Sequence, residues 1–380
     1  MNRYSFLNPF SYKSGNLYGM GVMRVILAIS VVLTHTSSLL GYNPVGGGSA
    51  VQIFFIFSGF YMFMILDGRY TSPYKFYKSR ALRLYPTYLA VAAFSVGVWY
   101  FFRQGFGPWV HWADAGLSAK VFLIVTNIVI FFQDIIMFLA IDPHTGNLYF
   151  TANLHPDPNR LWHSLVVPQA WSIGIELTFY LCVPFLVKCK TRTLCAIAGL
   201  SIAFRLYMAQ KGFSDNPWNY HFSPFELALF VFGGIGYRAY QRLKAGKLMD
   251  YIAPLATILV IASVFMFQFL HVNSITKLFI YYVAIAAAIP FIFHASKGNV
   301  RDRRIGDLFY PIYISHWAII TCVNLLLGKY APVLREKQLL CIPVIILTIF
   351  ASIALNRYIQ APIDAFRRKK YIPAAQQGHN

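Results

Sequence analysis

Met23-Arg24-Val25-Ile26-Leu27-Ala28-Ile29-Ser30-Val31-Val32-Leu33-Thr34-His35 is an apolar run with an arginine near one end and a histidine at the other. If it is helical, at about 1.5 Å per residue, the step from Arg24 to His35 covers roughly 16 Å. Eleven residue steps of about 100° bring the two side chains within roughly 20° of one azimuth, so one helix face carries both. Ionisable groups in so apolar a segment are costly unless they face protein or water, which makes the pair a candidate site.

Runs of similar length recur along the chain, at about 17–40, 48–66, 82–102, 120–140, 168–187, 193–209, 224–241, 250–270, 277–294, 308–327 and 338–358. Each is near the roughly 20 apolar residues that a helix needs to cross a bilayer. Composition agrees: 57% of the 380 residues are hydrophobic and 12% are charged, half the roughly 25% of a soluble domain. The fold class expected is an all-α membrane protein. One integral-membrane unit is expected over residues 1–380, with a core at about 17–358 and a basic tail at 359–380. No soluble domain is expected at either end, and the polar, aromatic first sixteen residues show no cleavable signal peptide.

The 33 basic residues against 13 acidic ones give a net charge of +20. In a soluble protein that excess would suggest nucleic acid. Here it is read as cytoplasmic loop charge that orients the spans, and no nucleic-acid partner is expected. An eleventh crossing would break the charge pattern, and the run at 120–140 contains Asn127, Gln133 and Asp134. That run is read as a re-entrant or interfacial helix, leaving about ten transmembrane helices with both termini cytoplasmic. The arrangement puts 23 Lys and Arg inside and 8 outside, with Arg24 and Arg205 within spans. The polar segment at about 141–165 then lies outside, as an acceptor-facing lid or a connector. Arg367-Arg368-Lys369-Lys370 reads as an anchor to anionic lipid. The five cysteines have no metal-ligand spacing and read as unpaired core residues, and no metal is expected.

Other polar clusters sit where lipid should forbid them. Arg80 and Arg83, three apart at the start of the third run, share a helix face, and their guanidinium forks suit phosphate oxygens as well as cytoplasmic anchoring. Ser172 and Glu176 share a face beside Trp171. His316 lies within a late run, as a site residue or a packing group. Arg205 and Glu226 can pair with each other.

In this order the clusters resemble the acyltransferase 3 family of integral-membrane acyltransferases. The matching pieces are Arg24 with His35, Phe54-Phe55-Ile56-Phe57-Ser58-Gly59-Phe60, Arg80-Ala81-Leu82-Arg83-Leu84-Tyr85-Pro86, Trp171-Ser172-Ile173-Gly174-Ile175-Glu176 and Tyr310-Pro311-Ile312-Tyr313-Ile314-Ser315-His316. Gln52 departs from the pattern, standing where the family often has an aspartate, which argues against a proton relay there. The resemblance implies a multi-pass enzyme of the cell inner membrane. It would move an acyl group, acetyl from acetyl-CoA, to a hydroxyl of an extracytoplasmic sugar on an exopolysaccharide, O-antigen or related surface glycan. The partners implied are membrane lipid, acyl-CoA and a sugar or lipid-linked glycan; the oligomeric state is left open.

On this reading Arg24, Arg80 and Arg83 hold the CoA phosphates. The Arg24-to-His35 gap is about the length of the pantetheine arm, so the thioester arrives at His35. His35 is the expected general base, with an acyl-histidine as the competing route. Glu176 orients it and Ser172 or Trp171 donates to the oxyanion; His316, Tyr313, Ser58 and Gln52 complete the supporting set. The rival reading is a glycolipid transporter or flippase with an intramembrane proton relay. A third is an inert membrane scaffold, against which the polar constellation argues.

Overall fold

The structure is a computed structural model that describes residues 17–36, 38–68, 72–152, 159–270, 274–327, 333 and 339–371. The first sixteen residues, the middle of the polar segment at 153–158 and the end of the tail at 372–380 lie outside the described residues.

The chain is a multi-pass helical membrane protein. Its helices are α1 (Met20–His35), α2 (Gly47–Gly68), α3 (Pro73–Phe102), α4 (Leu117–Val129), α5 (Gln133–Ile136), α6 (Trp171–Leu186) and α7 (Thr191–Gln210). They continue as α8 (Ser223–Leu243), α9 (Lys247–Met266), α10 (Ser274–Ser296), α11 (Val300–Gly306), α12 (Phe309–Leu327), α13 (Cys341–Leu355) and α14 (Ala361–Tyr371). All eleven apolar runs fall on helices. Among the described residues, 8 helical stretches are long and apolar enough to cross a membrane, and α1 and α4 are shorter apolar helices.

The run at 120–140 breaks as its polar content suggested. Helix α4 has 13 residues, roughly 20 Å against the roughly 30 Å of a hydrocarbon core. It ends where Ile130 (φ 67°) and Phe132 (φ 63°) take left-handed backbone. Asn127 donates to the carbonyls of Leu123 (2.8 Å) and Ser164 (3.0 Å) and accepts from the Val166 amide (2.7 Å). Its amide group is therefore satisfied inside the protein. A short antiparallel pair, Leu139–Ile141 with Leu148–Phe150, adds a small β element on the same side.

Two close backbone approaches set the core. Helix α2 crosses α8 where a Cβ on Gly59 would lie 1.9 Å from the Phe230 carbonyl oxygen and one on Gly233 would lie 2.0 Å from that of Ile56. Only glycine allows the two backbones so near. At the start of α1 the Asp302 carboxylate accepts from the amides of Gly19 (2.9 Å), Gly21 (2.8 Å) and Val22 (3.0 Å). It thus satisfies the open amides of that helix end and complements its dipole.

The C-terminal region departs from the expected tail. A π-helical segment, Asn356–Gln360, joins α13 to α14, and α14 packs back along α3. Asp364 accepts from Arg83 (3.4 Å) and Arg367 (2.9 Å), and Arg367 also reaches the Ser79 hydroxyl (3.0 Å). Arg367 is a buried structural residue, so the lipid-anchor expectation fails for it. The cysteines are all free, but Cys182 and Cys195 are exposed on helix surfaces, so the expectation that all five are core residues is corrected.

Candidate active site

Helices α1, α2, α3, α6, α8, α10, α11, α12 and α14 line a cavity of about 760 Å³. It lies at the end of the bundle where α1 and α3 begin and α2 and α10 finish, the end richest in basic residues. Arg24, Arg80, Arg83, Lys297, Arg303, Arg367 and Arg368 line it, against the acids Glu176, Asp302 and Asp307. Asp302 is engaged by the amides at the start of α1, so the cavity is markedly cationic.

Each expected arginine reaches this wall. The Arg24 guanidinium lies over the rings of Phe309 (4.7 Å) and Tyr61 (5.2 Å), with Nε donating to the Met20 carbonyl (3.3 Å). Arg80 is 5% exposed, and its Nε has no hydrogen-bond partner among the described residues. No carboxylate pairs with Arg24 or Arg80 among the described residues. Arg83 is the exception, tied to Asp364. A buried guanidinium without a counter-ion is costly and is suited to an anionic ligand.

Further in, the lining turns to hydroxyls and rings. Glu176 accepts from the hydroxyls of Ser58 and Tyr180, each at 2.5 Å. The Ser172 and Tyr313 hydroxyls are 2.6 Å apart, and each also reaches the Gln169 carbonyl, at 3.1 and 3.0 Å. The lining ends at Phe54, Ser172 and Tyr313 and does not include His35.

His35 is exposed, at the last position of α1, and stacks on the buried His316 of α12 with ring centroids 5.3 Å apart. Arg24 and His35 do share a face, since both side chains meet α12, one at Phe309 and the other at His316. The Nδ1 of His316 is 2.6 Å from the Tyr313 carbonyl oxygen, and a carbonyl only accepts, so Nδ1 carries the proton. Its Nε2 is left unprotonated in the neutral ring and has no hydrogen-bond partner among the described residues. Tyr313 is next to this pair, its ring centroid 6.0 Å from that of His316. Three residues of α12 separate them, about 4.5 Å of axial rise. The imidazoles therefore lie one side chain beyond the cavity.

Around His35 the opposite end of the bundle is aromatic. Trp317 is 4.9 Å from His35, Phe106 is 5.0 Å from Trp317, and Trp162 is 5.4 Å from Phe106, all between ring centroids. His163 and His221 lie outside the membrane helices. Burial, with His111 and Arg160 nearby, lowers the His163 pKa, and burial pushes that of His221 down to about 3. The His221 ring is therefore neutral near pH 7.

Three expectations are corrected by these positions. Glu176 is hydrogen-bonded to Ser58 and Tyr180 and not to His35, so it does not orient that ring. Trp171 packs on His221 (4.1 Å between centroids) and Tyr220 (5.6 Å), away from the cavity lining. Gln52 donates to the Glu226 carboxylate (2.9 Å) and accepts from the Tyr282 hydroxyl (2.5 Å) in a buried network apart from the cavity. Arg205 closes that network on Glu226 at 3.5 Å, the pairing expected from sequence.

The family model of the acyltransferase domain, acyltransferase 3, matches residues 17–357. The chain belongs to the acyltransferase 3 family. A curated relative of this chain is "Exopolysaccharide production protein ExoZ" of Rhizobium meliloti (strain 1021), 26% identical over 149 residues. That alignment spans 39% of this chain and 37% of the relative, so the chain covers well under half of the protein it matches. No solved structure matches this chain. Among the described residues, no group of three or more His, Cys, Asp or Glu side chains stands where it could hold a metal ion.

Four cavity cations escaped sequence reasoning: Lys297, Arg303, Arg367 and Arg368. All look like ordinary loop and tail charge. The one local signal is Asp364, a lone acid three residues before Arg367, which is the spacing of a helical ion pair.

Proposed function

We propose that the whole chain acts as a single inner-membrane acyltransferase domain with about ten crossings. It transfers acetyl from cytoplasmic acetyl-CoA to a hydroxyl of a sugar in an extracytoplasmic glycan such as an exopolysaccharide. The observation that carries this reading is the order of chemistry along one axis. A cation-rich cavity at the basic end narrows to rings and hydroxyls and stops one side chain short of two stacked imidazoles.

That order matches an acyl-CoA. Its phosphates are too charged for lipid, and the half-buried guanidinium of Arg24 and the buried one of Arg80 suit them. Its pantetheine arm needs a narrow, largely apolar channel, and the roughly 16 Å from Arg24 to His35 is about its length. The arm reaches His35 once the Tyr313 ring turns aside. The sugar comes from the opposite end, where the half-buried rings of Trp317, Phe106 and Trp162 offer apolar faces to a pyranose.

In the reaction the sugar oxygen attacks the thioester carbonyl while an imidazole takes its proton. Collapse of the tetrahedral intermediate breaks the C–S bond, and the imidazolium returns the proton to the leaving thiolate. His35 is the base in this scheme, exposed to the acceptor, and His316, with its Nε2 unprotonated, backs it. The Ser172 and Tyr313 hydroxyls are the nearest cavity donors for the oxyanion. The relative's name points to exopolysaccharide as the first acceptor to test. Comparing the acetyl content of surface glycan in a deletion strain with its parent tests the reading: it requires the acetyl ester to be lost on deletion and restored by the intact gene, and an unchanged content refutes it.

A further inference from the structure

The cavity cations fall into two tiers. Arg24, Arg80 and Arg83 form an inner tier of buried or half-buried groups. Lys297 and Arg368 are exposed and Arg303 is half-buried, and these form an outer tier at the rim. The rim residues come from three separate segments: the turn after α10, helix α11 and helix α14. The last is held in place by Asp364, which bridges Arg83 of α3 (3.4 Å) and Arg367 of α14 (2.9 Å). These ion pairs make the C-terminal helix a wall of the cavity and bring Arg368 to its edge.

Seven cations against three acids leave the cavity cationic, and an anionic ligand offsets the repulsion among the like charges. One phosphate cluster would need one tier. Coenzyme A carries two: the pyrophosphate that leads into the pantetheine arm, and a 3′-phosphate on the far side of the ribose. The inner tier stands where the arm begins, so the pyrophosphate belongs there.

Resting on the reading that acyl-CoA is the donor, we infer that the rim formed by Lys297, Arg303 and Arg368 binds the 3′-phosphate of the donor. The C-terminal helix is therefore a specificity element that tells coenzyme A from its 3′-dephospho form.

The test measures binding of CoA and of 3′-dephospho-CoA to the purified full-length protein by calorimetry. Wild type binds CoA at least about tenfold more tightly, the scale of one charge-assisted contact. Arg368→Gln and Lys297→Gln each weaken CoA by about that factor, leave dephospho-CoA unchanged and so shrink the ratio. Lys370→Gln, on the same helix but outside the cavity lining, leaves the ratio alone. Equal affinity of wild type for the two ligands overturns the inference while sparing the donor reading. So does equal weakening of both ligands by the rim variants. Binding of neither ligand by well-folded wild type removes the donor reading, and the inference with it.

Discussion

His35 and His316 show what a sequence can and cannot tell about single residues. Each is conspicuous because an imidazole inside an apolar run must answer to a partner or a cavity. That the two stack on each other at 5.3 Å is a property of how α1 meets α12, which no spacing within either helix encodes. On our account His35→Ala lowers glycan acylation by about 10²–10⁴-fold, the usual worth of a general base, while CoA binding in calorimetry stays intact. A variant that keeps more than about a tenth of the rate takes His35 out of the mechanism. Arg80 is a second case. It is buried, with an Nε that has no partner among the described residues, so Arg80→Lys keeps the charge but loses the fork, and CoA affinity falls by about tenfold. Arg83→Lys also loosens α14 through Asp364, so this variant adds a drop in melting temperature that Arg80→Lys lacks. Unchanged affinity in both lysine variants would return the pair to charge anchoring.

Elements were legible where periodicity or apolar length sets them, and less so where distant packing does. Every apolar run but the broken one at 120–140 became a continuous helix, yet α3 starts at Pro73 and not near residue 82. Its first turns are basic and amphipathic and do not register as membrane-like. Helices α11 and α14 were invisible for the same reason, although both wall the cavity. Three glycines sit at close backbone approaches: Gly59 and Gly233 permit the α2–α8 crossing, and Gly174 of α6 faces the turn after α4, where a Cβ would lie 2.9 Å from the Ile130 carbonyl oxygen. Gly59→Ala and Gly233→Ala are each expected to cost about 1–3 kcal/mol, as overpacking does. Thermal unfolding in detergent reads this directly, and wild-type melting temperatures would show that the two helices separate without penalty.

At the scale of the whole molecule the charge asymmetry and the cavity point the same way. The basic end holds the cation-lined opening; the other end presents His35 among aromatic rings. Single cysteines introduced at Lys190, Lys244 and Arg304, in a background without native cysteines, are expected to react only from the cytoplasmic side. Cysteines at Asp114, Thr145 and Asp215 are expected to react only from outside. Labelling of Thr145→Cys from the cytoplasm would invert the topology and with it the path of the acyl group. That path is the central claim, and vectorial transfer in proteoliposomes tests it most directly. Protein is reconstituted with a glycan acceptor sealed inside, radiolabelled acetyl-CoA is added outside, and molecules with the basic end outward are the competent ones. The account predicts that label accumulates on the enclosed glycan with wild type and not with His35→Ala. Label confined to the outer compartment, or equal transfer by both proteins, would contradict it.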